Sequence, residues 1–280
     1  MNSQILTKII DWAKQEDSIK VLILNGSLAG KGPKDELSDY DVAVFTNDRK
    51  KLETDDSWIH KLDKVWVYEP CEFFKNGTEY QTRLVIYKDG LQVDFALYDL
   101  EAFECFFHQD TLPVDFNLGY KVLLDKDGLT KNIKPPTYEY PYSPKPTQKE
   151  FDLATRIFFF ESFKEAKSLA RDDLGHAKIR DFITKKYLLK MTEWNEKAKH
   201  GFNYDTNCAA KKMKSWIDKT TWLALHNTFA HFDAQDSWHA LVATMELFSK
   251  LAKETANILE YEYLDDVDKN IRRFVDKLKK

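Results

Sequence analysis

Three acids and a Gly-Ser pair carry most of the chemistry open to this chain. Gly26-Ser27 and then Asp39 and Asp41 fall in NGSLAGKGPKDELSDYDVAVF (25–45), and Asp94 falls in LQVDFAL (91–97). On a strand, residues i and i+2 project from one face, so a strand DYDVAVF aims Asp39 and Asp41 the same way, with Tyr40 and Val42 on the other face. Like charges that close repel, and a cation or hydrogen bonds relieve the cost. Hard oxygen ligands suit Mg²⁺, which takes one or two carboxylates and completes its shell with nucleotide phosphates and water. Upstream, a glycine lets a phosphate approach the backbone, and the Ser27 hydroxyl and nearby N–H groups can donate to it. Asp94 interrupts an apolar strand, with Val93, Phe95 and Leu97 on one face and Asp94 and Ala96 on the other. A carboxylate there is expensive to bury without a partner. If that strand lies beside 40–45, Asp94 lands near Asp39 and Asp41. Each feature alone has a plain alternative: a turn, a solvated strand end, an exposed acid. Together and in this order they describe a phosphate cradle beside a metal site.

The elements that position these residues follow from periodicity. Leu6, Ile9, Ile10 and Ala13 define an amphipathic opening helix. KVLIL (20–24) is an apolar run suited to an interior strand covered on both faces. YDVAVF (40–45), KVWVY (64–68), EYQTRLVIY (79–87), LQVDFAL (91–97) and YKVLLD (120–125) read as further strands. Asp89-Gly90 marks a hairpin between the fourth and fifth of these six. Residues 1–134 thus predict a mixed sheet with helices. IKPPTYEYPYSPKP (133–146) holds five of the chain's eight prolines, and fixed φ with missing donors predicts a stiff connector over 135–146. TQKE (147–150) is a capping-box pattern that opens a helix. Further helices are expected at about 176–199, 206–230, 237–260 and 266–279, so 147–280 predicts a helical bundle.

Composition sets the bounds. The 280 residues are 43% hydrophobic and 31% charged, with 42 basic and 46 acidic side chains and a net charge of −4. That is a globular composition without the basic excess of a dedicated nucleic-acid binder, so no nucleic-acid partner is expected. Cys71, Cys105 and Cys208 form no disulfide framework or zinc spacing and read as free thiols. There is no signal-peptide pattern and no apolar stretch near the ~20 residues of a membrane span, so no membrane partner is expected and the chain reads as cytoplasmic. The histidines form no metal-spaced set. The basic run 211–214 reads as a solvated helix face.

The run from Gly26-Ser27 through Pro33-Lys34-Asp35 to Asp39-Tyr40-Asp41 resembles the signature of the nucleotidyltransferase superfamily (the DNA polymerase β-like fold). More closely, it resembles that of the aminoglycoside 6-adenylyltransferases, the streptomycin-modifying group. DGLQVDFAL is similar to the family's hairpin and third-carboxylate strand. KVLLDKDG, EFD, AKSLAR and YEY extend the likeness through the helical half, whereas DDLGHAKIRDF (172–182) departs from it. The resemblance implies an α+β architecture, with an N-terminal nucleotidyltransferase mixed-sheet domain and a C-terminal all-α bundle that binds the acceptor. It implies transfer of AMP from ATP to a hydroxyl of an aminoglycoside, with pyrophosphate released and antibiotic resistance conferred.

Two Mg²⁺ ions would then be held by Asp39 and Asp41, with Asp94 as a third ligand or as general base for the hydroxyl. Gly26 and Ser27 would hold the β- and γ-phosphates. Lys167 and Arg171, one helical turn apart, would reach the triphosphate across a cleft, or else form a basic pair on a solvated face. Glu161, Asp172 and Asp173 are acceptor-pocket candidates, and Trp194 and Trp222 read as helix core. Two other readings remain open: the same chemistry on a protein or RNA acceptor, and a catalytically inactive nucleotide-binding module. Oligomeric state is not legible.

Overall fold

The computed structural model describes residues 3–139, 144–207 and 209–279. The chain divides into two compact units, Met1–Pro141 and Tyr142–Lys280. Of the proline-rich stretch 135–146, residues 140–143 lie outside the described residues, as does Cys208.

The first unit opens with helix α1 (Ser3–Gln15), strand β1 (Ile19–Asn25), the single-turn helix α2 (Gly26–Ala29) and β2 (Tyr40–Thr46). After α3 (Arg49–Thr54), a 3₁₀ turn (Asp56–Trp58) and α4 (Ile59–Leu62) come β3 (Val65–Lys75), β4 (Thr78–Tyr87) and β5 (Gln92–Asp99). Helices α5 (Leu100–Phe107) and α6 (Val114–Asn117) and strand β6 (Lys121–Asp125) complete the unit. The six strands form one sheet in the order β3-β4-β5-β2-β1-β6. Among the described residues only β2–β5 is parallel; β1–β2, β1–β6, β3–β4 and β4–β5 are antiparallel.

Alternation along the strands builds two cores. Leu22, Leu24, Tyr40, Val42, Val44, Val93, Phe95 and Leu97 face α1, α3 and α4, where Trp12 stacks on Trp58 at 4.8 Å. Ile23, Ala43, Phe45 and Tyr98 face the other way, onto Phe103, Phe106 and Phe107 of α5 and Phe116 of α6. The opening helix buries Ile5, Ile9, Trp12 and Ala13. Its apolar stripe is therefore rotated slightly from the expected one, with Leu6 and Ile10 half-buried at the flank. The Asp89-Gly90 turn joins β4 and β5 as expected, both residues having positive φ (65° and 76°). The edge strand β3 accommodates Pro70 because an edge position needs no donor on its open side.

The second unit packs α7 (Gln148–Leu169) on α8 (Leu174–His200), α11 (Ala234–Leu259) and α12 (Asp265–Leu278). The predicted capping box is present: Glu150 N–H donates to Thr147 Oγ1 at 3.2 Å, and Thr147 N–H donates to Glu150 Oε2 at 2.7 Å. Phe158 stacks on Phe248 at the centre of this unit's core. The helix expected over 206–230 is instead two short ones, α9 (Met213–Trp216) and α10 (Lys219–Leu225). Asn207, Ala209, Ala210 and Lys212 all take positive φ, and Ile217 is extended. Asp218 then restarts the helix by accepting from Thr221 N–H at 2.9 Å. Short polar side chains that bond the backbone locally favour such caps over helix interiors. Among the described residues no helix is long and apolar enough to cross a membrane.

Glu165 is 1% exposed within α7, where it accepts from Thr184 Oγ1 at 3.4 Å. Burial above all, and then the charge of Asp181, pushes its carboxyl up to about 8. An acid whose folded pKa exceeds its unfolded one is neutral in both states at low pH. It costs stability as pH rises from the unfolded value through the folded one. Glu165→Gln should therefore melt at wild-type temperature near pH 4 and progressively above it as pH rises toward 8, measured by thermal denaturation across pH.

Candidate active site

The site is built where β1 ends. Asn25 is in register with Asp41 across the antiparallel β1–β2 pair, so the residue that follows folds over the Asp41 side chain. That residue is Gly26, with φ +66°. A Cβ on Gly26 would stand 1.9 Å from Asp41 Oδ2, far inside contact distance, so a side chain is incompatible with Asp41 in its present place. Ser27 is exposed on the same turn. Lys34 Nζ donates to the Leu28 carbonyl at 2.8 Å, tying the following loop to α2. Asp35 Oδ1 accepts from Leu37 N–H at 3.0 Å and from Ser38 Oγ at 3.2 Å. The Pro33-Lys34-Asp35 stretch thus shapes the path from the turn to β2. A cavity of about 320 Å³ opens there, lined by Leu28, Asp35, Glu36, Ser38 and Tyr40 among others.

The parallel β2–β5 ladder places Asp41 opposite Asp94. Their strand-mates Ala43 and Phe45, and Ala96 and Tyr98, pack into the α5-side aromatic cluster. Both acids therefore lie on that face, and both are half-buried. Gln92, two residues before Asp94 and so on the same face, donates its amide to Asp94 Oδ1 at 3.0 Å. Sequence reasoning missed Gln92, although its i, i+2 relation to Asp94 was available as a signal. Partial burial first, then Glu69 and Asp94, push the Cys71 thiol up, and Cys71 and Cys105 are free cysteines as expected.

Asp39 stands one residue before β2, outside the ladder, because the strand begins at Tyr40 and not at Asp39. Among the described residues no group of three His, Cys, Asp or Glu side chains is arranged to hold a metal ion. The structure brings Asp41 and Asp94 together as a pair, with Asp39 upstream. Two half-buried carboxylates side by side, beside a turn stripped of its side chain, fit the oxygen-donor preference of a hard divalent cation.

The remaining predicted residues lie in the second unit. Lys167 is on α7 with its ammonium 5.2 Å from the Phe163 ring centre. Arg171 lies beyond the helix, in the turn after Ala170 caps α7, so the expected one-turn spacing on a single helical face does not hold for the pair. Glu161 is engaged by Lys164 at 3.0 Å and Arg180 at 3.2 Å. Asp173 caps α8. Trp194 and Trp222 pack against the helical core.

A glycine turn pressed against paired carboxylates is the arrangement expected of a nucleotidyltransferase, an enzyme class that moves a nucleotidyl group between oxygens. A model of the streptomycin adenylyltransferase family matches residues 1–278, and the chain belongs to that family. An aminoglycoside 6-adenylyltransferase of Campylobacter jejuni is 28% identical, covering 97% of this chain and 93% of its own. Its counterpart in Bacillus subtilis (strain 168) is 26% identical, covering 98% of this chain and 96% of its own. The crystal structure of an aminoglycoside 6-adenyltransferase from Bacillus subtilis superposes with a TM-score of 0.48 at 24% identity, covering 99% of this chain and 98% of that one.

Gly26→Ala tests the close approach. The added methyl must displace Asp41 or the turn, and misplacement on the ångström scale costs about 10²-fold in rate. Adenylyl-transfer activity is expected to fall by about that much or more in steady-state assays, with the far-ultraviolet circular dichroism of the wild type retained.

Proposed function

We propose that this protein transfers AMP from ATP to a hydroxyl of an aminoglycoside, streptomycin-like and at the 6-position, releasing pyrophosphate. We place it in the cytoplasm, where the modification would confer antibiotic resistance. The observation that carries this reading is the register of Asp41 against Asp94 beside Gly26, in a chain whose family match runs through both units.

Asp41 and Asp94, with Asp39 upstream, would hold Mg²⁺, two ions in this reading. Bound there, Mg²⁺ would supply Lewis acidity to the phosphates and lower the pKa of the attacking hydroxyl. The chain's own groups do the positioning. Gly26 leaves the backbone open to the β- and γ-phosphates, and Ser27 donates its hydroxyl to them. Gln92 fixes one oxygen of Asp94, which leaves that carboxylate a defined orientation toward the acceptor hydroxyl, whether it acts as ligand or as general base. Lys167 and Arg171 are assigned to the triphosphate, where fixed positive charge stabilises the leaving pyrophosphate.

Pyrophosphate release from ATP and Mg²⁺ with a panel of aminoglycosides, followed by mass spectrometry of the product, tests the reading. The expected product is an aminoglycoside heavier by one AMP. Asp41→Asn and Asp94→Asn should each lower turnover by at least about 10²-fold, the scale of losing one electrostatic contact at a reacting centre, while leaving thermal melting near wild type. Turnover with no aminoglycoside while ATP still binds would contradict the acceptor assignment, and retained activity in either variant would contradict the carboxylate assignment.

A further inference from the structure

The helical unit contains a cavity of about 590 Å³ along α8, within the range of about 300–1,000 Å³ usual for small-molecule sites. None of the residues assigned a role above lines it. Rings of Phe182, Trp216 and Phe229 form part of its wall, and Phe182 and Phe229 are 75% and 57% exposed. Aromatic surface grouped in this way marks a binding groove more often than ornament.

The charged lining is unbalanced. Lys178, Lys185, Lys186 and Lys190 stand against Asp181 and Glu193. Both acids are already engaged, Asp181 by Lys185 and Glu193 by Lys197. Glu165, beside Asp181 and Lys185 but outside the cavity lining, has its carboxyl pushed up by burial, which disfavours its charged form. Among the described residues Lys178, Lys186 and Lys190 have no carboxylate within ion-pair distance. Lys178 Nζ donates only to the Ala230 carbonyl at 3.2 Å, and Lys190 lies 4.7 Å from the Trp194 ring centre.

We infer that this cavity binds an organic anion with a flat aromatic body, its ring set against Phe182, Trp216 and Phe229 and its acidic group against Lys178, Lys186 and Lys190. An excess of positive charge at a concave, largely apolar site favours ligands of the opposite sign. A polycationic aminoglycoside is thereby excluded from this cavity and must be held elsewhere. The inference is independent of the reaction proposed above.

Isothermal titration of the full chain with 1-naphthyl phosphate, in EDTA so that no divalent ion takes part, tests it. The phosphate ester is expected to bind at least about tenfold more tightly than either 1-naphthol or inorganic phosphate, and more weakly as salt rises. Lys178→Ala/Lys186→Ala/Lys190→Ala should lose about tenfold or more in affinity, and Phe182→Ala/Phe229→Ala should lose a similar factor through the ring contacts. Far-ultraviolet circular dichroism checks that both variants fold. Unchanged affinity in the lysine variant, equal binding of 1-naphthol, displacement of the ester by streptomycin, or no binding by wild type at millimolar ester would each overturn the inference.

Discussion

Everything at the candidate active site depends on one pairing, that of β2 with β5. Among the described residues it is the sheet's only parallel pair, and its register sets Asp41 beside Asp94. A one-residue shift of either strand would turn its acid onto the opposite face, among Val42, Val44, Phe95 and Leu97. Register is guarded by burial on both sides: Val42, Val44, Phe95 and Leu97 fill one core, and Ala43, Phe45 and Tyr98 the other. The stacked and edge-on rings of Phe45, Tyr98, Phe103 and Phe106 hold the strands from the side on which the acids lie. Placing like charges side by side costs free energy that this packing must exceed, and such costs are characteristic of functional positions.

The glycine turn is the second half of the same constraint. Because Asn25 opposes Asp41, the turn after β1 has to pass over that carboxylate, and only a residue without a side chain can do so in this conformation. The glycine of the Gly-Ser pair is therefore required by the sheet register, independently of the phosphate-holding role proposed for it. The loop from α2 to β2 is fixed locally, by Lys34 on the α2 carbonyl and Asp35 on its own backbone. The turn and the strand are thus positioned by separate sets of bonds.

Much of this was legible in the sequence, for physical reasons that differ by element. All six strands were visible because their apolar runs and alternation are strong, and Asp94 stood out because a charge breaks that alternation. The Asp89-Gly90 hairpin and the Thr147 capping box were legible because they are chemistry within a few residues of chain. The segment after Asn207 was misread as helix because its helix-forming residues are overruled by backbone turns and by the Asp218 cap. β2 begins at Tyr40, as the run YDVAVF (40–45) reads, so the face shared by Asp39 and Asp41 on a longer strand DYDVAVF is not formed and Asp39 lies outside the ladder that holds Asp41. Arg171 was placed on a helical face that in fact ends at Leu169. Gln92 was overlooked although strand alternation puts it on the face of Asp94, and the lysine-lined cavity of the helical unit was not visible, since it depends on side-chain placement that periodicity does not encode.

The central claim is that the Asp41–Asp94 pair is a cation site whose mutual repulsion a bound divalent ion relieves. Thermal melting with and without Mg²⁺, on wild type and Asp41→Asn in parallel, addresses it without any substrate. The account predicts that Mg²⁺ raises the wild-type Tm, since a ligand bound only by the folded state stabilises it. It also predicts that the metal-free variant melts at least as high as metal-free wild type and does not respond to Mg²⁺. A wild-type Tm indifferent to Mg²⁺, or an equal Mg²⁺ response in the variant, would contradict it.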